Sequence, residues 1–286
     1  MGNVEVWNMA QYNLKRVDYG EFVQYRIYDR PISKKENKEQ KEIKEKQEVE
    51  KNDKDNTKDN SDSGQTNNNR SEQVSINRSI QTVYKYAQAN SWDYFITLTF
   101  KRDGKVDVYN YADCVKKITK WLNNQRCKCP DLKYLFVPEM HKDGAFHFHG
   151  LIANCEGLTF SDSGRVAIGN KAYKRTKENQ HFPAIYNMNN WKYGWSTATA
   201  VVSSCKSASY ICKYITKDLV QGIGKRRRFY PSNNLDLPEE SEHLFDMDSL
   251  EELIESFGDC LDYSKTQDIP EAHQRIRYYT VMQNDQ

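Results

Sequence analysis

The sequence predicts an α+β fold built on an antiparallel sheet, and three patterns lead to this prediction. Residues 134–152 have the features of a β-hairpin: an apolar run, a turn at Asp143-Gly144 and a second strand of alternating residues. Residues 94–100 form another strand, rich in aromatic and β-branched side chains. Apolar residues at helical spacing predict helices between the strands. A central hairpin with mixed helices and strands favours an antiparallel sheet.

The chain divides into four segments by composition. Residues 1–33 are predicted to form short strands that pack on the core. Residues 34–73 are charged and polar and contain no aromatic residue, so they are predicted to be a disordered or loosely helical insert. Residues 74–232 form the predicted catalytic core, and residues 233–286 form an acidic extension with one appended helix. Within the core, helical spacing predicts three helices: residues 76–90, 111–122 and 204–219.

Bulk properties narrow the class of protein. The 286 residues carry a formal net charge of +2, which neither requires nor excludes nucleic acid as a partner. Cysteine occurs 7 times without paired spacing, and Cys127-x-Cys129 is too short a pattern for a zinc site. We find no signal peptide and no stretch long enough to span a bilayer. We therefore expect a cytoplasmic protein with reduced thiols.

The second strand of the hairpin places two histidines on one side. Residues two apart on a strand share a face, so His147 and His149 point together, opposite Phe146 and Phe148. Two adjacent imidazoles suit a divalent metal ion, and Glu139 on the neighbouring strand is the candidate third ligand. The alternative is two ordinary strand histidines, one of them satisfied in the core.

The metal assignment depends on the length of the hairpin loop. A two-residue turn at Asp143-Gly144 would place Glu139 opposite Phe148, on the wrong side. A three-residue loop, Lys142-Asp143-Gly144, with Gly144 in the left-handed region, places Glu139 opposite His147. We predict the three-residue loop.

A second group of polar residues lies in the predicted helix 204–219. Tyr210, Lys213, Tyr214 and Lys217 recur at helical spacing and would share one face. A free phenol has a pKa of about 10, so lysines nearby could favour the phenolate and also hold a phosphodiester. The alternative is a solvated face with amphipathic tyrosines.

Together, a metal site and two phenols predict transesterification on DNA. A tyrosine would attack a phosphate, become joined to its 5′ side and release a 3′-hydroxyl, while the metal stabilises the transition state. Two tyrosines on one face would allow a relay, in which one holds the old strand end while the other attacks the new junction.

The strand, hairpin and tyrosine motifs together resemble those of a known group of proteins. Residues 95–100, then Glu139 with His147-Phe148-His149, then residues 210–217 resemble, in order, the three motifs of the HUH superfamily of rolling-circle replication initiators. The paired tyrosines look like those of the microvirus and filamentous-phage group. The segment 78–219, which includes Trp191-x-x-Gly194, is similar to replication proteins of Gram-positive plasmids, phages and integrative elements. The resemblance covers about half of the 286-residue chain.

The resemblance implies an HUH endonuclease domain over residues 74–232, with a five-stranded antiparallel sheet flanked by helices, as in ferredoxin-like and RRM-like folds. It also implies a Mg²⁺- or Mn²⁺-dependent nick in single-stranded DNA at a replication origin, in the cytoplasm of a bacterial host cell. Glu139, His147 and His149 would be the ligands. Either Tyr210 or Tyr214 would attack, and the resemblance leaves open which.

Partners follow from the same resemblance and from motifs that the chain lacks. No G-x-x-x-x-G-K-[ST] pattern is present, so a fused helicase is not expected and a host helicase and DNA polymerase would act with the protein. The basic run Lys225, Arg226, Arg227 and Arg228, followed by two aromatic residues, suits single-stranded DNA. A solvated charge run is the alternative. No membrane partner is expected.

Three residues near the predicted site receive supporting roles, and three other functions stay open. Thr97 and Thr99 would support the sheet or the metal ligands. His141 would serve the turn, and a place near the metal is the alternative. A conjugative relaxase or a single-strand transposase would use the same fold and chemistry. A DNA-binding regulator, stabilised by a metal but without catalysis, is the third possibility.

Overall fold

The computed structural model describes residues 11–33, 63–169, 171–202, 204–224 and 226–283. The chain divides into two compact units: residues 65–237 form the larger one, and the two ends of the chain, residues 1–64 and 238–286, form the smaller one. Within the described part, no helix combines the length and the apolar character needed to cross a membrane.

The helices and strands are as follows. In chain order, they are β1 (Gln11–Asp18), β2 (Phe22–Ser33), α1 (Ser63–Gln88), β3 (Tyr94–Phe100), α2 (Tyr111–Lys128), β4 (Lys133–Met140), β5 (Phe146–Ala153), β6 (Phe160–Ile168), β7 (Lys171–Lys174), β8 (Ala184–Met188), β9 (Gly194–Ala200), α3 (Ser204–Cys212), α4 (Lys217–Ile223), β10 (Tyr230–Pro231), β11 (Glu239–His243), α5 (Met247–Ser256), β12 (Leu261–Ile269) and β13 (Gln274–Met282).

The larger unit contains an eight-stranded sheet, and every pairing in it is antiparallel. Its strand order is β10-β4-β5-β3-β9-β8-β6-β7. This confirms the predicted α+β class with an antiparallel sheet. The sheet has three strands more than the five that the resemblance implies: β10 extends the β4 edge, and β6 and β7 extend the β8 edge.

One face of this sheet packs on α2. Asn110 begins the helix by accepting a hydrogen bond from the backbone N–H of Ala112, 3.0 Å. Helix residues Ile118 and Trp121 then bury against sheet residues of that face, including Phe136. This aromatic layer is the apolar support under the hairpin.

The opposite face packs on α1 and α3. Val83 of α1 and Ile211 of α3 are fully buried with Leu135 and Leu151 of the hairpin strands. Residues 63–73, predicted to belong to a disordered or loosely helical insert, form the first turns of α1. The remainder of that insert, residues 34–62, lies outside the described residues.

The smaller unit is a separate five-stranded sheet, in the order β11-β1-β2-β13-β12. Helix α5 covers one side of it, where Leu250 packs with Leu14 and Ile27. The predicted helix of the acidic extension is therefore present, but the extension also contributes three strands. The N-terminal strands β1 and β2 form a sheet with these strands, which the sequence analysis did not anticipate.

Candidate active site

The hairpin has the predicted three-residue loop. Glu139 lies directly opposite His147, and the backbone N–H of His141 donates to the carbonyl of Ala145, 2.9 Å. Gly144, the last loop residue, has φ +86°. This left-handed conformation is one that glycine adopts without cost. The loop therefore brings Glu139 and both histidines to the same face of the sheet.

Two threonines fix the orientation of the imidazoles. The Thr97 hydroxyl oxygen lies 3.0 Å from Nδ1 of His149, and that of Thr99 lies 3.0 Å from Nδ1 of His147. Each threonine lies on β3, directly opposite its histidine on β5. This fixes the Nδ1 atom of both rings at the β3 side.

Glu139 lies among three imidazoles. The Nε2–H of His149 donates to Oε2 of Glu139, 2.7 Å, and Nε2 of His141 lies 3.6 Å from the same oxygen. The His141 ring also stacks on the His147 ring, with centroids 4.0 Å apart. His141, which we assigned to the turn, therefore belongs to this cluster. The available signal was its position two residues after Glu139 on the same strand face.

Burial and mutual proximity set the protonation states of the cluster. Burial lowers the pKa of His147 to about 4, and the imidazoles of His141 and His149 add to the shift. Burial also lowers the pKa of His149, against the opposing effect of the Glu139 carboxylate. Burial alone would raise the pKa of Glu139, but the hydrogen bond from His149 lowers it below the usual value. At neutral pH His147 and His149 are thus neutral imidazoles, and Glu139 is an ionised carboxylate.

This donor set fits a divalent ion in chemistry. Metal ligands must be deprotonated imidazoles and carboxylates, which is the state described above. A hydrogen bond to the second ring nitrogen is the usual support for a metal-binding histidine, and both threonines provide one. Among the described residues, however, no three His, Cys, Asp or Glu side chains are spaced as a ready-made metal cage. The direct contact between His149 and Glu139 occupies two of the donor atoms, and it would have to open.

The predicted nucleophile helix is broken. Helix α3 ends at Cys212 and α4 begins at Lys217, so Tyr214 lies in the link between them. The Thr216 hydroxyl accepts from the backbone N–H of Leu219, 3.1 Å, and caps the new helix. The prediction of one continuous helix with four polar residues on one face is therefore wrong.

Both tyrosines nevertheless lie on the side of the sheet that carries the cluster. The Tyr214 ring stacks on the His149 ring, with centroids 3.6 Å apart and planes within 6°. The Tyr210 ring lies edge-on to Tyr214 at 5.6 Å and to Phe95 at 5.2 Å. Of the two phenols, Tyr214 is thus the one in direct contact with the cluster.

The surroundings keep the Tyr214 phenol neutral. Burial raises its pKa, and the hydrogen bond with Tyr210 and the nearby Glu139 carboxylate add to the shift. The Lys213 ammonium lies over the Tyr210 ring, 5.3 Å from its centroid, and is exposed. The side chain of Lys217 lies outside the described residues. The roles of both lysines therefore stay predictions.

The basic run after α4 divides between two surroundings. Arg228 donates to Ser75 and Ser79 of α1, at 3.0 and 3.2 Å, which is a structural contact. Arg226 and Arg227 are exposed, and each guanidinium lies over a tyrosine ring: Arg226 over Tyr111 and Arg227 over Tyr230. Lys225 lies outside the described residues. Among the described residues of this run, Arg226 and Arg227 are thus the exposed candidates for the predicted DNA contacts.

Comparison with models of known protein families gives a match over the segment that carries the candidate site. Residues 93–219 match the family model of replication-associated protein ORF2/G2P, which spans β3 to the first residues of α4. The match includes the hairpin cluster and both tyrosines, and it covers less than half of the chain. No curated protein and no solved structure matches. Residues 93–219 are thus similar to the replication-associated protein ORF2/G2P family, which is consistent with a Rep-type replication initiator.

Proposed function

We propose that this domain nicks single-stranded DNA at a replication origin, with Tyr214 as the first nucleophile. The observation that supports this most directly is the stacking of the Tyr214 ring on His149, 3.6 Å between centroids, beside the Glu139 carboxylate. A phosphate held next to the cluster would then be within reach of a phenol. Replication initiation is the role that the family match favours.

The proposed step is a transesterification at phosphorus. The Tyr214 oxygen forms a bond to the phosphorus atom while the bond from phosphorus to the 3′ oxygen breaks. The phenolic proton leaves to solvent, and the departing 3′ oxygen takes up a proton to become a hydroxyl. The product is a 5′-phosphotyrosine, in which one phosphoester bond has replaced another, so the step is reversible and strand transfer follows by the same chemistry.

The neutral phenol in the described state requires activation. Glu139, His147 and His149 would hold Mg²⁺ or Mn²⁺, and His141 is close enough to assist. The bound ion would polarise the phosphoryl oxygens and stabilise the transition-state charge. Imidazole ligands suit Mn²⁺ better than Mg²⁺, whereas supply in the cell favours Mg²⁺.

Tyr210 is the second nucleophile in this proposal. Its ring lies 5.6 Å from that of Tyr214, so a strand end joined to one phenol remains close to the other. The exposed ammonium of Lys213 lies over the Tyr210 ring and would neutralise a phosphate there. The two tyrosines would alternate during rolling-circle replication, together with a host helicase and a DNA polymerase.

The experiment is a covalent adduct assay. Full-length protein is incubated with Mn²⁺ and single-stranded oligonucleotides that tile the replicon encoding it, and denaturing gels are searched for a shifted band. We expect one oligonucleotide to give the band, EDTA to abolish it, and the double variant Tyr210→Phe/Tyr214→Phe to lack it. A band from the double variant would show that the nucleophile is elsewhere. No band with any oligonucleotide would contradict the proposal.

A further inference from the structure

The sheet face that carries the candidate active site is only partly covered. Helices α1 and α3 pack over the β4–β5 side of this face. On β9, two strands from β5, Thr197 is exposed and Trp195 has 63 % of its surface exposed. An open strip of sheet therefore begins directly beside the cluster.

Strand register places Trp195 in the same row as the metal-ligand candidates. Thr99 on β3 lies opposite His147 on one side and opposite Trp195 on the other, and His147 lies opposite Glu139. Residues directly opposite each other in a sheet share a face. Because neighbouring strands lie about 4.8 Å apart, the Trp195 backbone is about 10 Å from that of His147.

Trp195 differs from the other tryptophans of the described residues. Trp92, Trp121 and Trp191 are at most 5 % exposed. Each of them donates its indole N–H to a backbone carbonyl, at 2.8, 3.0 and 3.1 Å respectively. In the part of the chain that the structure describes, the indole ring of Trp195 has neither a hydrogen bond nor an aromatic partner. Its exposed ring is therefore available to stack on a ligand.

The surroundings of Trp195 suit a nucleic-acid strand. Lys192 precedes β9 and is exposed. Lys101 is also exposed, and its backbone N–H donates to the carbonyl of Tyr193, 2.8 Å, the residue after Lys192. Single strands bind where bases stack on aromatic rings and cations follow the backbone. A flat ring next to a phosphate-reacting site, with two cations at the same end of the strand, provides both contacts.

We propose that Trp195 is the stacking platform for a base of single-stranded DNA next to the scissile phosphate, and that the open β3–β9 strip guides that strand to Tyr214. The inference rests on the proposed function, since it names where the substrate of that site lies. Trp195 is a positioning residue: it holds the strand and does not touch the reacting atoms.

The test measures binding without cleavage. A fluorescein-labelled, mixed-sequence single-stranded oligonucleotide is titrated with full-length protein in EDTA, and fluorescence anisotropy gives the affinity. Because Trp195→Ala would lose the stacking of one base, its affinity for the oligonucleotide should fall by about 5- to 150-fold. Trp195→Phe should retain most of the affinity, because a smaller ring still stacks. The wild-type protein should also lose tryptophan fluorescence on binding, and Trp195→Phe should lose less.

Tyr173→Ala is the matched control. Tyr173 is an exposed aromatic residue of the same sheet, but it lies opposite Val166 on the other face. The Tyr173→Ala variant should bind the oligonucleotide with the affinity of wild type. The inference would be overturned if wild type and Trp195→Ala bound DNA with equal affinity, or if Tyr173→Ala lost as much affinity as Trp195→Ala. It would also be overturned if the wild-type protein did not bind the oligonucleotide. A change from dimer to monomer in Trp195→Ala with unchanged DNA affinity would also overturn it, and would assign the strip to contact between copies.

The two proposals fail separately. If Trp195→Ala weakens binding but wild-type protein forms no adduct, the stacking platform stands and the chemistry is wrong. If Trp195→Ala binds DNA as wild type does and still forms the adduct, the chemistry stands and the platform is wrong.

Discussion

The orientation of His147 and His149 depends on two threonine hydroxyls. Each hydroxyl lies 3.0 Å from the Nδ1 atom of its histidine, so it helps to hold the angle of the ring. Thr97 and Thr99 were assigned a supporting role from strand alternation alone, and the contact distances support that assignment. His141 was expected mainly in the turn, but its ring lies beside Glu139 and His147, because a residue beside a turn can still face along the strand that precedes it.

Replacing Thr99 by valine should weaken metal binding while leaving the fold intact. Valine keeps the shape of threonine but removes the hydrogen bond to His147, and lost support of this kind reduces metal affinity by about 10- to 100-fold. Mn²⁺ titration by calorimetry would measure the change. Thr197→Val, on the same sheet face but exposed, is the control and should bind Mn²⁺ as wild type does. Unchanged affinity in Thr99→Val would refute the supporting role.

Two elements determine the site, and the sequence predicted one of them correctly. The hairpin loop could be predicted because, of the two-residue and three-residue loops considered, only the three-residue loop places Glu139 and His147 on the same face. The break between α3 and α4 was missed, because the apolar spacing continues across it and suggests one helix. A local signal existed: Thr216 followed by Asp218 is a typical helix start, and Thr216 is the observed cap.

The conformation of Gly144 in the hairpin loop leads to a testable prediction. Gly144→Ala should destabilise the protein by about 1–2 kcal/mol, because alanine is strained in the left-handed region. It should also reduce adduct formation, since a loop of another shape changes the position of Glu139. Gly104→Ala is matched in backbone conformation, with φ +78° against +86°, and lies in a loop outside the cluster. Thermal melts and adduct yields would compare the two variants.

Gly104→Ala should lose similar stability and keep its adduct yield. If both variants lose adduct to the same extent, the effect comes from general destabilisation. The loop would then have no special role in placing Glu139.

For the whole molecule, sequence patterns identified elements but not their partners. The sequence predicted strands near the start of the chain, yet nothing local indicates that β2 pairs with β13 at the other end of the chain. Pairing over such separations depends on tertiary packing. The same limit explains why the sheet of the larger unit gained three strands over the five that the resemblance implied.

The division into two units predicts that the larger one is sufficient for chemistry. A fragment of residues 63–237 contains the whole cluster, both tyrosines and the complete eight-stranded sheet. It should melt cooperatively and form the DNA adduct with Mn²⁺. A fragment that is folded by circular dichroism but gives no adduct would show that the terminal sheet takes part in the reaction.

The most direct test of the central claim is to identify the tyrosine that joins DNA. Wild-type protein would be trapped with the reactive oligonucleotide and Mn²⁺, digested with protease and nuclease, and the nucleotide-bearing peptide sequenced by mass spectrometry. The account predicts the nucleotide on Tyr214 after the first cleavage, and loss of that first adduct in Tyr214→Phe but not in Tyr210→Phe. A nucleotide found first on Tyr210, or on any residue away from the Glu139, His147 and His149 cluster, would contradict it.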